Sequence, residues 1–310
     1  MLAPMAGVSD HAFRERCREF GSYWLVSEMV TSDHRLWQTP KSKARLPHGK
    51  ESGLSWVQLV GSDPASMAAA ARENVYLGAD IIDINMGCPA KKVCNKAAGS
   101  ALLRDEALVA KILKEVVAAV NVPVTLKIRL GWSREQINAV TIAKLAEDVG
   151  IALLTVHGRT RACRFRGEVD YEAIAEVCSA VDMPVIANGD ITSPERAKEV
   201  LEATGAAGVM VGRAAQGRPW LLAQIDSYLI NGYYSPAPQI NEVVAMLRRH
   251  LVDLYKLYGE YRGVRVARKH VGWTLDWLGF SHIKQQFNRC DCANEQFAFL
   301  QSVLLECDAA

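Results

Sequence analysis

Gly78-Ala-Asp-Ile-Ile-Asp-Ile-Asn85 sits behind a helix-like stretch that ends in its glycine. The same order returns at Gly150-Ile-Ala-Leu-Leu-Thr-Val-His157 and Gly205-Ala-Ala-Gly-Val-Met-Val-Gly212. A position just past a helix end takes positive φ, which glycine adopts without a Cβ clash. The aliphatic runs that follow lack in/out alternation, so they read as parallel strands buried on both faces. Runs of this kind fall at residues 2–3, 24–27, 56–60, 81–85, 124–128, 153–157, 185–187 and 208–211. Amphipathic stretches at 64–77, 106–120, 136–149, 171–180 and 194–204 fill most of the gaps. Asp63-Pro64 and Ser193-Pro194 read as an N-cap followed by proline in the first turn. Eight βα units predict an α/β chain folded as a closed (β/α)8 TIM barrel. An open doubly wound sheet is the runner-up.

The repeat stops near 220–229. Asn231-Gly-Tyr-Tyr-Ser-Pro-Ala-Pro238 is rich in turn formers, and beyond it helical patterns run at 240–258, 261–278 and 295–305. The expected domains are therefore a catalytic barrel over 1–235 and a small all-helical domain over 236–310. A chain of 310 residues with 50% apolar and 23% charged residues is ordinary globular material, not a disordered or fibrous one. Lysine plus arginine is 36 and aspartate plus glutamate is 34, a net charge of +2 that alone implies no polyanion partner. The start, Met1-Leu-Ala-Pro-Met-Ala-Gly7, has no basic n-region, and no apolar run reaches a membrane-spanning length. Eight scattered cysteines without paired spacing suit a reducing cytoplasm.

Barrel chemistry gathers where strands end. Those ends read Pro4-Met5-Ala6, Glu28-Met29, Gln58, Asn85-Met-Gly-Cys88, Lys127-Ile-Arg129, His157-Gly-Arg159, Asn188-Gly189-Asp190 and Gly212-Arg213. The loops after strands seven and eight commonly hold phosphate, and Arg213 adds a bidentate donor; a surface ion pair is the plainer reading of Arg213. Lys127 inside a strand needs a partner, either an anionic ring such as a reduced flavin or a carboxylate such as Asp83 or Glu28. His157 is placed to bond the same ring. Cys88, between Gly87 and Pro89, is placed to donate a proton. Cys94, Cys290 and Cys292 have no zinc-like spacing, so no metal is expected.

Basic residues cluster locally. The mouth carries Lys91, Lys92, Lys96, Arg129, Arg159, Arg161, Arg164 and Arg166. Between Arg248 and Arg289 nine basic residues, including Arg265, Arg268 and Lys269, face only Asp253, Glu260 and Asp276, with Tyr258, Tyr261, Trp273, Trp277 and Phe280 interleaved. The sharper reading is a polyanion surface continuous with the mouth, and the plainer one is a solvated helix face.

Ile82-Asp-Ile-Asn-Met-Gly-Cys-Pro-Ala-Lys-Lys-Val93 resembles the tRNA-dihydrouridine synthases, the bacterial B-type in particular. Ala3-Pro-Met-Ala-Gly7, Val26-Ser-Glu-Met29, Ala98-Gly-Ser-Ala-Leu-Leu103, Leu126-Lys-Ile-Arg129, His157-Gly-Arg-Thr-Arg161, Ala187-Asn-Gly-Asp-Ile191, Gly212-Arg-Ala-Ala-Gln-Gly-Arg-Pro-Trp220 and Arg265-Val-Ala-Arg-Lys-His270 extend the likeness along the chain. The resemblance implies an FMN enzyme whose flavin is held by Pro4, Met5, Ala6, Gln58, Lys127, His157, Asn188, Gly189, Asp190, Gly212 and Arg213. Asn85 would contact the uracil. Lys91 and Arg129, with Arg265, Arg268 and Lys269 of the tail, would meet the tRNA. Hydride from NADPH (or NADH) would reach C6 of a D-loop uridine by way of FMN while Cys88 protonates C5. A monomer without a membrane or metal partner is the expected state. The competing reading is another FMN barrel acting on a free pyrimidine, as dihydroorotate dehydrogenases do; the basic tail argues against it. The family usually carries about a dozen residues before its first motif, so a shortened start and a nearly absent first strand are expected here.

Overall fold

The computed structural model describes residues 1–21, 23–47 and 51–308. Among them nine strands form: β1 (Val30–Thr31), β2 (Trp56–Val60), β3 (Ile81–Met86), β4 (Val124–Arg129), β5 (Gly131–Ser133), β6 (Gln136–Ile137), β7 (Leu153–His157), β8 (Val185–Asn188) and β9 (Gly208–Met210). Helices α1 (His11–Arg18) and α2 (Pro40–Lys43) come first. Then α3 (Pro64–Tyr76), α4 (Lys91–Cys94), α5 (Glu106–Ala119), α6 (Ala139–Asp148), α7 (Tyr171–Ala180), α8 (Pro194–Thr204) and α9 (Leu221–Asn231) alternate with the strands. The tail holds α10 (Ile240–Tyr258), α11 (Glu260–Trp277), α12 (Lys284–Arg289) and α13 (Ala293–Asp308).

The parallel sheet runs β1-β2-β3-β4-β7-β8-β9, and β5 with β6 makes a separate antiparallel hairpin. Bridges from Leu2 to Val211 and Leu25, and from Val26 to Trp56, join the two edges into a ring. Ala3 N donates to Val211 O at 2.8 Å and Leu2 N to Trp24 O at 2.9 Å, so the ring is hydrogen-bonded through the first residues. The result is a closed TIM barrel with a helical tail. Its strands are apolar because both faces are covered; β7 is buried at every residue. Asp63, Asp105, Asp170 and Ser193 each accept a backbone N–H at the start of a helix, and Pro64 and Pro194 occupy the first turn after their caps.

Two expectations shift. The first strand is the nearly absent one expected, isolated bridges at Leu2, but the second also shrinks to bridges at Leu25–Val26, and pairing resumes at Val30–Thr31 against Leu59–Val60. The helix expected from residue 136 begins at Ala139. Gln136–Ile137 instead folds back on Gly131, where any Cβ would lie 2.0 Å from the Gln136 carbonyl oxygen. Glycine there lets a hairpin form, and the hairpin takes the first residues of the amphipathic stretch.

Ala3, Val26, Trp56, Leu153, Ile186 and Met210 form a compact layer of their own, five of them on barrel strands or the closing bridges. The tail has its own core, built on residues such as Leu247, Leu251, Leu275 and Phe287, and this core takes in Ala12 and Trp220 from the barrel side. Tyr258 donates to Asp10 at 2.9 Å, and Arg16–Asp253 and Arg249–Glu19 ion pairs at 3.0 and 2.8 Å cross the same seam. No helix among the described residues is long and apolar enough to cross a membrane.

Candidate active site

A cleft of about 1160 Å³ opens at the C-terminal ends of the strands. Its wall gathers all eleven residues assigned to a flavin, with Asn85, Cys88, Lys91 and Arg129; Arg265, Arg268 and Lys269 lie outside it.

Lys127 stands on β4, and its Nζ donates to Asn188 Oδ1 at 2.8 Å; the Asn188 amide in turn donates to Met210 O at 2.8 Å. Neither carboxylate considered from the sequence reaches it. Asp83 is taken by Gln58 and Thr125, and Glu28 by Arg45 and the Gly7 N–H. Burial, with Arg129 nearby, pulls the Lys127 ammonium down to about 7. Between that value and the ordinary 10.5 the unfolded chain holds a proton that the folded chain lacks. Stability of the cofactor-free protein should therefore rise with pH across that window. Lys127→Met is expected to flatten the rise, as seen in paired urea denaturation curves from pH 7 to 10.

His157 ends β7, buried, and its Nε2 has no partner among the described residues. Burial together with Lys127, Arg129, Arg159 and Arg213 pushes its imidazole well below its usual range, so it is neutral at pH 7. Gly189 has φ +135°, and a Cβ there would lie 2.8 Å from Val169 Cγ1. That turn carries Asp190, whose carboxylate receives Arg159 and Arg213, the latter at 2.7 Å. Both arginines hold it below the usual carboxylate range. Arg213 is thus ion-paired and more than half exposed, the plainer of its two readings, with its remaining donors at the cleft wall.

Cys88 follows β3 in a loop pinned from several sides. Asn85 Oδ1 accepts the Gly87 and Cys88 N–H groups at 3.1 and 2.9 Å, and Ser100 donates to the Cys88 carbonyl at 2.8 Å. Burial pushes the thiol up, so it keeps its proton at neutral pH. Arg129, at 2% exposure, spends its donors on the carbonyls of Gly87, Thr160 and Arg164 at 2.8, 3.0 and 2.6 Å. It joins the loops after β3 and β7 through Nε and Nη1 while lining the cleft.

Sequence reasoning missed Phe165. It lies in the arginine-rich loop after β7, half exposed at the cleft, with Arg129 and Arg213 guanidinium carbons 5.2 and 5.4 Å from its ring centre and the His157 ring 6.2 Å away. An aromatic residue amid Arg159, Arg161, Arg164 and Arg166 was the available signal.

The basic tail is largely spoken for. Arg249, Lys256, Arg268 and Lys284 each meet a carboxylate, two of them Glu19 and Asp291 outside the stretch counted from sequence. Arg265 packs 3.7 Å over Tyr261, and Lys269 Nζ donates to Gly7 O at 2.9 Å. Lys269 therefore braces the loop that presents Pro4, Met5 and Ala6. Lys269→Met is expected to weaken flavin retention several-fold in a fluorescence titration, and Lys269→Arg to restore part of it. Unchanged retention in the methionine variant would return Lys269 to the nucleic-acid surface.

The dihydrouridine synthase family model matches residues 1–307. The chain belongs to the dihydrouridine synthase family. A relative in Pseudomonas aeruginosa, called tRNA-dihydrouridine synthase B, is 58% identical over 99% of this chain and 92% of its own length. Relatives of the same name in Vibrio vulnificus and Pseudomonas syringae are 54% and 56% identical, each over 97% of this chain and 94% and 91% of their own.

A flavin mononucleotide suits the donor set. The unpartnered His157 Nε2, an Lys127 ammonium with no carboxylate beside it and a glycine turn beside Arg213 offer hydrogen-bond and charge partners to an electron-rich ring and a phosphate.

Proposed function

We propose that this chain reduces the C5–C6 double bond of a D-loop uridine in tRNA, with FMN in the cleft and NADPH as electron donor. The observation that carries the reading is the meeting of Cys88, Asn85, Lys127 and His157 around one cleft in a chain of this family. Bound there, FMN supplies hydride to the uracil ring. Lys127 and His157 would hold the ring, and Lys127 would offset negative charge on it. The backbone of the Gly189 and Gly212 turns, with Arg213, would take the phosphate. Asn85 would turn toward a uracil carbonyl the amide N–H that meets Met29 Sδ at 3.9 Å. Cys88, protonated at neutral pH, would deliver its proton to C5, and Phe165 offers a ring face on which a splayed base can stack. Of the basic tail residues, Arg248, Arg262, Arg265, Lys269 and Arg289 are exposed without an ion-pair partner among the described residues; with Lys269 bonded to the Gly7 carbonyl, the other four are the ones left for phosphates.

A flavin absorption spectrum of the purified protein, then NADPH oxidation with and without unmodified tRNA, tests the reading. Flavin present and oxidation coupled to dihydrouridine formation is the expected result. Turnover on free pyrimidines but not on tRNA would instead favour a small-molecule dehydrogenase.

A further inference from the structure

Three adjacent strands bring polar side chains together beneath the Cys88 loop. Gln58 on β2 pairs in register with Asp83 on β3, and Asp83 with Thr125 on β4. All three are at least 97% buried, and Asn85, two residues on from Asp83, shares its face of the strand. Asp83 Oδ2 accepts from Gln58 Nε2 at 2.6 Å, and Gln58 Oε1 accepts from Asn85 Nδ2 at 2.7 Å. Asn85 Oδ1 is then left for the N–H groups of Gly87 and Cys88. At the far end Thr125 donates to Asp83 Oδ1 at 2.6 Å and accepts from Trp56 Nε1 at 3.1 Å.

An amide has one accepting and one donating end, and each junction in a buried chain must set a donor against an acceptor. We propose that Asp83 is the positioning residue of the Cys88 loop: by accepting from Gln58 it fixes the direction of the Gln58 amide, hence that of Asn85, and so commits the Asn85 carbonyl to the Cys88 N–H. Were Gln58 reversed, it would present its nitrogen to Asn85. Asn85 would have to reverse in turn, and its own nitrogen would then face the two loop N–H groups. The chain also decides what the cleft offers. Asn85 has its carbonyl fully used, and its second amide hydrogen meets only the soft Met29 Sδ at 3.9 Å, so it can present a donor to a ligand carbonyl.

What the relay needs at position 83 is an acceptor toward Gln58, not a charge. Burial pushes the Asp83 carboxyl up, and if it takes a proton it can give that hydrogen to Thr125 and still accept from Gln58. Thr125 Oγ1 already has the Ile82 carbonyl at 3.5 Å as an alternative acceptor for its own hydrogen. Asp83→Asn can do the same, with its nitrogen toward Thr125. Asp83→Leu, close in volume, cannot.

The inference rests on the reading of Cys88 as the proton donor, but its test needs no turnover. Cofactor-free protein is alkylated with iodoacetamide, and the rate is read at each cysteine by peptide mass spectrometry. Cys178 on α7 and the buried Cys17 serve as internal references for general loosening. Asp83→Asn is expected to alkylate at Cys88 within about twofold of the unaltered protein. Asp83→Leu is expected to alkylate there at least fivefold faster, with Cys178 and Cys17 unchanged. Should Asp83→Leu not fold, Asp83→Asn combined with Thr125→Val takes its place. With no acceptor at 125 the asparagine turns its nitrogen to Gln58, the reversal runs to Asn85, and the same selective rise at Cys88 is expected. An unaltered Cys88 rate in the folded variant, or an equal rise in Asp83→Asn alone, overturns the proposal. Absence of dihydrouridine formation in the unaltered protein, with the alkylation pattern as expected across the variants, would count against the function and leave the relay standing.

Discussion

Cys88→Ala is expected to lower dihydrouridine formation by about 10²–10⁴-fold, the usual worth of a positioned general acid, while flavin content and tRNA affinity stay near those of the unaltered protein. The thiol sits where the loop after β3 enters the cleft, and three contacts fix its backbone: two to Asn85 and Ser100 through its own N–H and carbonyl, one through the Gly87 carbonyl to Arg129. Hydride addition to C6 leaves electron density on C5 and its neighbouring carbonyl, and a proton must arrive for the product to form. A thiol raised above its usual range by burial arrives with its proton in place at neutral pH. None of its neighbours duplicates it. Lys127 is tied to Asn188, and Cys94 turns its sulfur toward the Cys88 carbonyl and Ser100. NADPH oxidation measured without tRNA should survive in the variant, since no uracil is protonated in that half-reaction. Turnover at the ordinary rate would remove Cys88 from the chemistry and leave solvent as the proton source.

The barrel was legible wherever a strand is covered on both faces. At β3, β4, β7 and β8 most successive residues are buried, and the aliphatic side chains of at least one face leave a mark no surface strand leaves. Helices α3 and α8 announced themselves through Asp63-Pro64 and Ser193-Pro194, because a cap and a fixed φ are local chemistry. At Leu2 and Leu25 the ring closes through single bridges, too short to give a pattern. The site was legible as a set of strand ends, since position on the barrel decides which residues face the mouth. What each residue does there was less so. Arg129, Arg268 and Lys269 read as free cations from sequence because their partners are backbone carbonyls, or a carboxylate beyond the stretch counted. A sequence shows charges and does not show which carbonyls a fold will aim at them. The Asp83–Gln58–Asn85 relay escaped for a related reason: amides and carboxylates two residues apart or on neighbouring strands become a chain only when the register is known.

Arg129→Met should therefore act on the fold first and on substrate affinity second. The guanidinium is 2% exposed and has no carboxylate partner among the described residues; burial and Arg159 pull it down to about 10, still charged at neutral pH. Its three bonds run to the Gly87, Thr160 and Arg164 carbonyls, which belong to two different loops. Hydrogen bonds from a charged donor contribute roughly 1.5–3 kcal/mol each, and relief of a buried, unpaired charge offsets part of that loss. A net cost of about 3 kcal/mol is expected, which for a chain of this size corresponds to a Tm about 5 °C lower. Methionine keeps much of the volume, so the loss is of bonds rather than of packing. The two loops it releases carry Cys88 and Phe165, so kcat should fall together with Tm, and Arg129→Lys, with a single ammonium for three carbonyls, should recover only part of either. Calorimetry on the cofactor-free proteins, beside steady-state kinetics at saturating tRNA, separates this from a nucleic-acid contact. A phosphate-binding arginine would raise KM for tRNA and flatten its salt dependence with Tm unmoved, whereas a tether between loops lowers Tm and kcat and leaves the salt dependence of binding as it was.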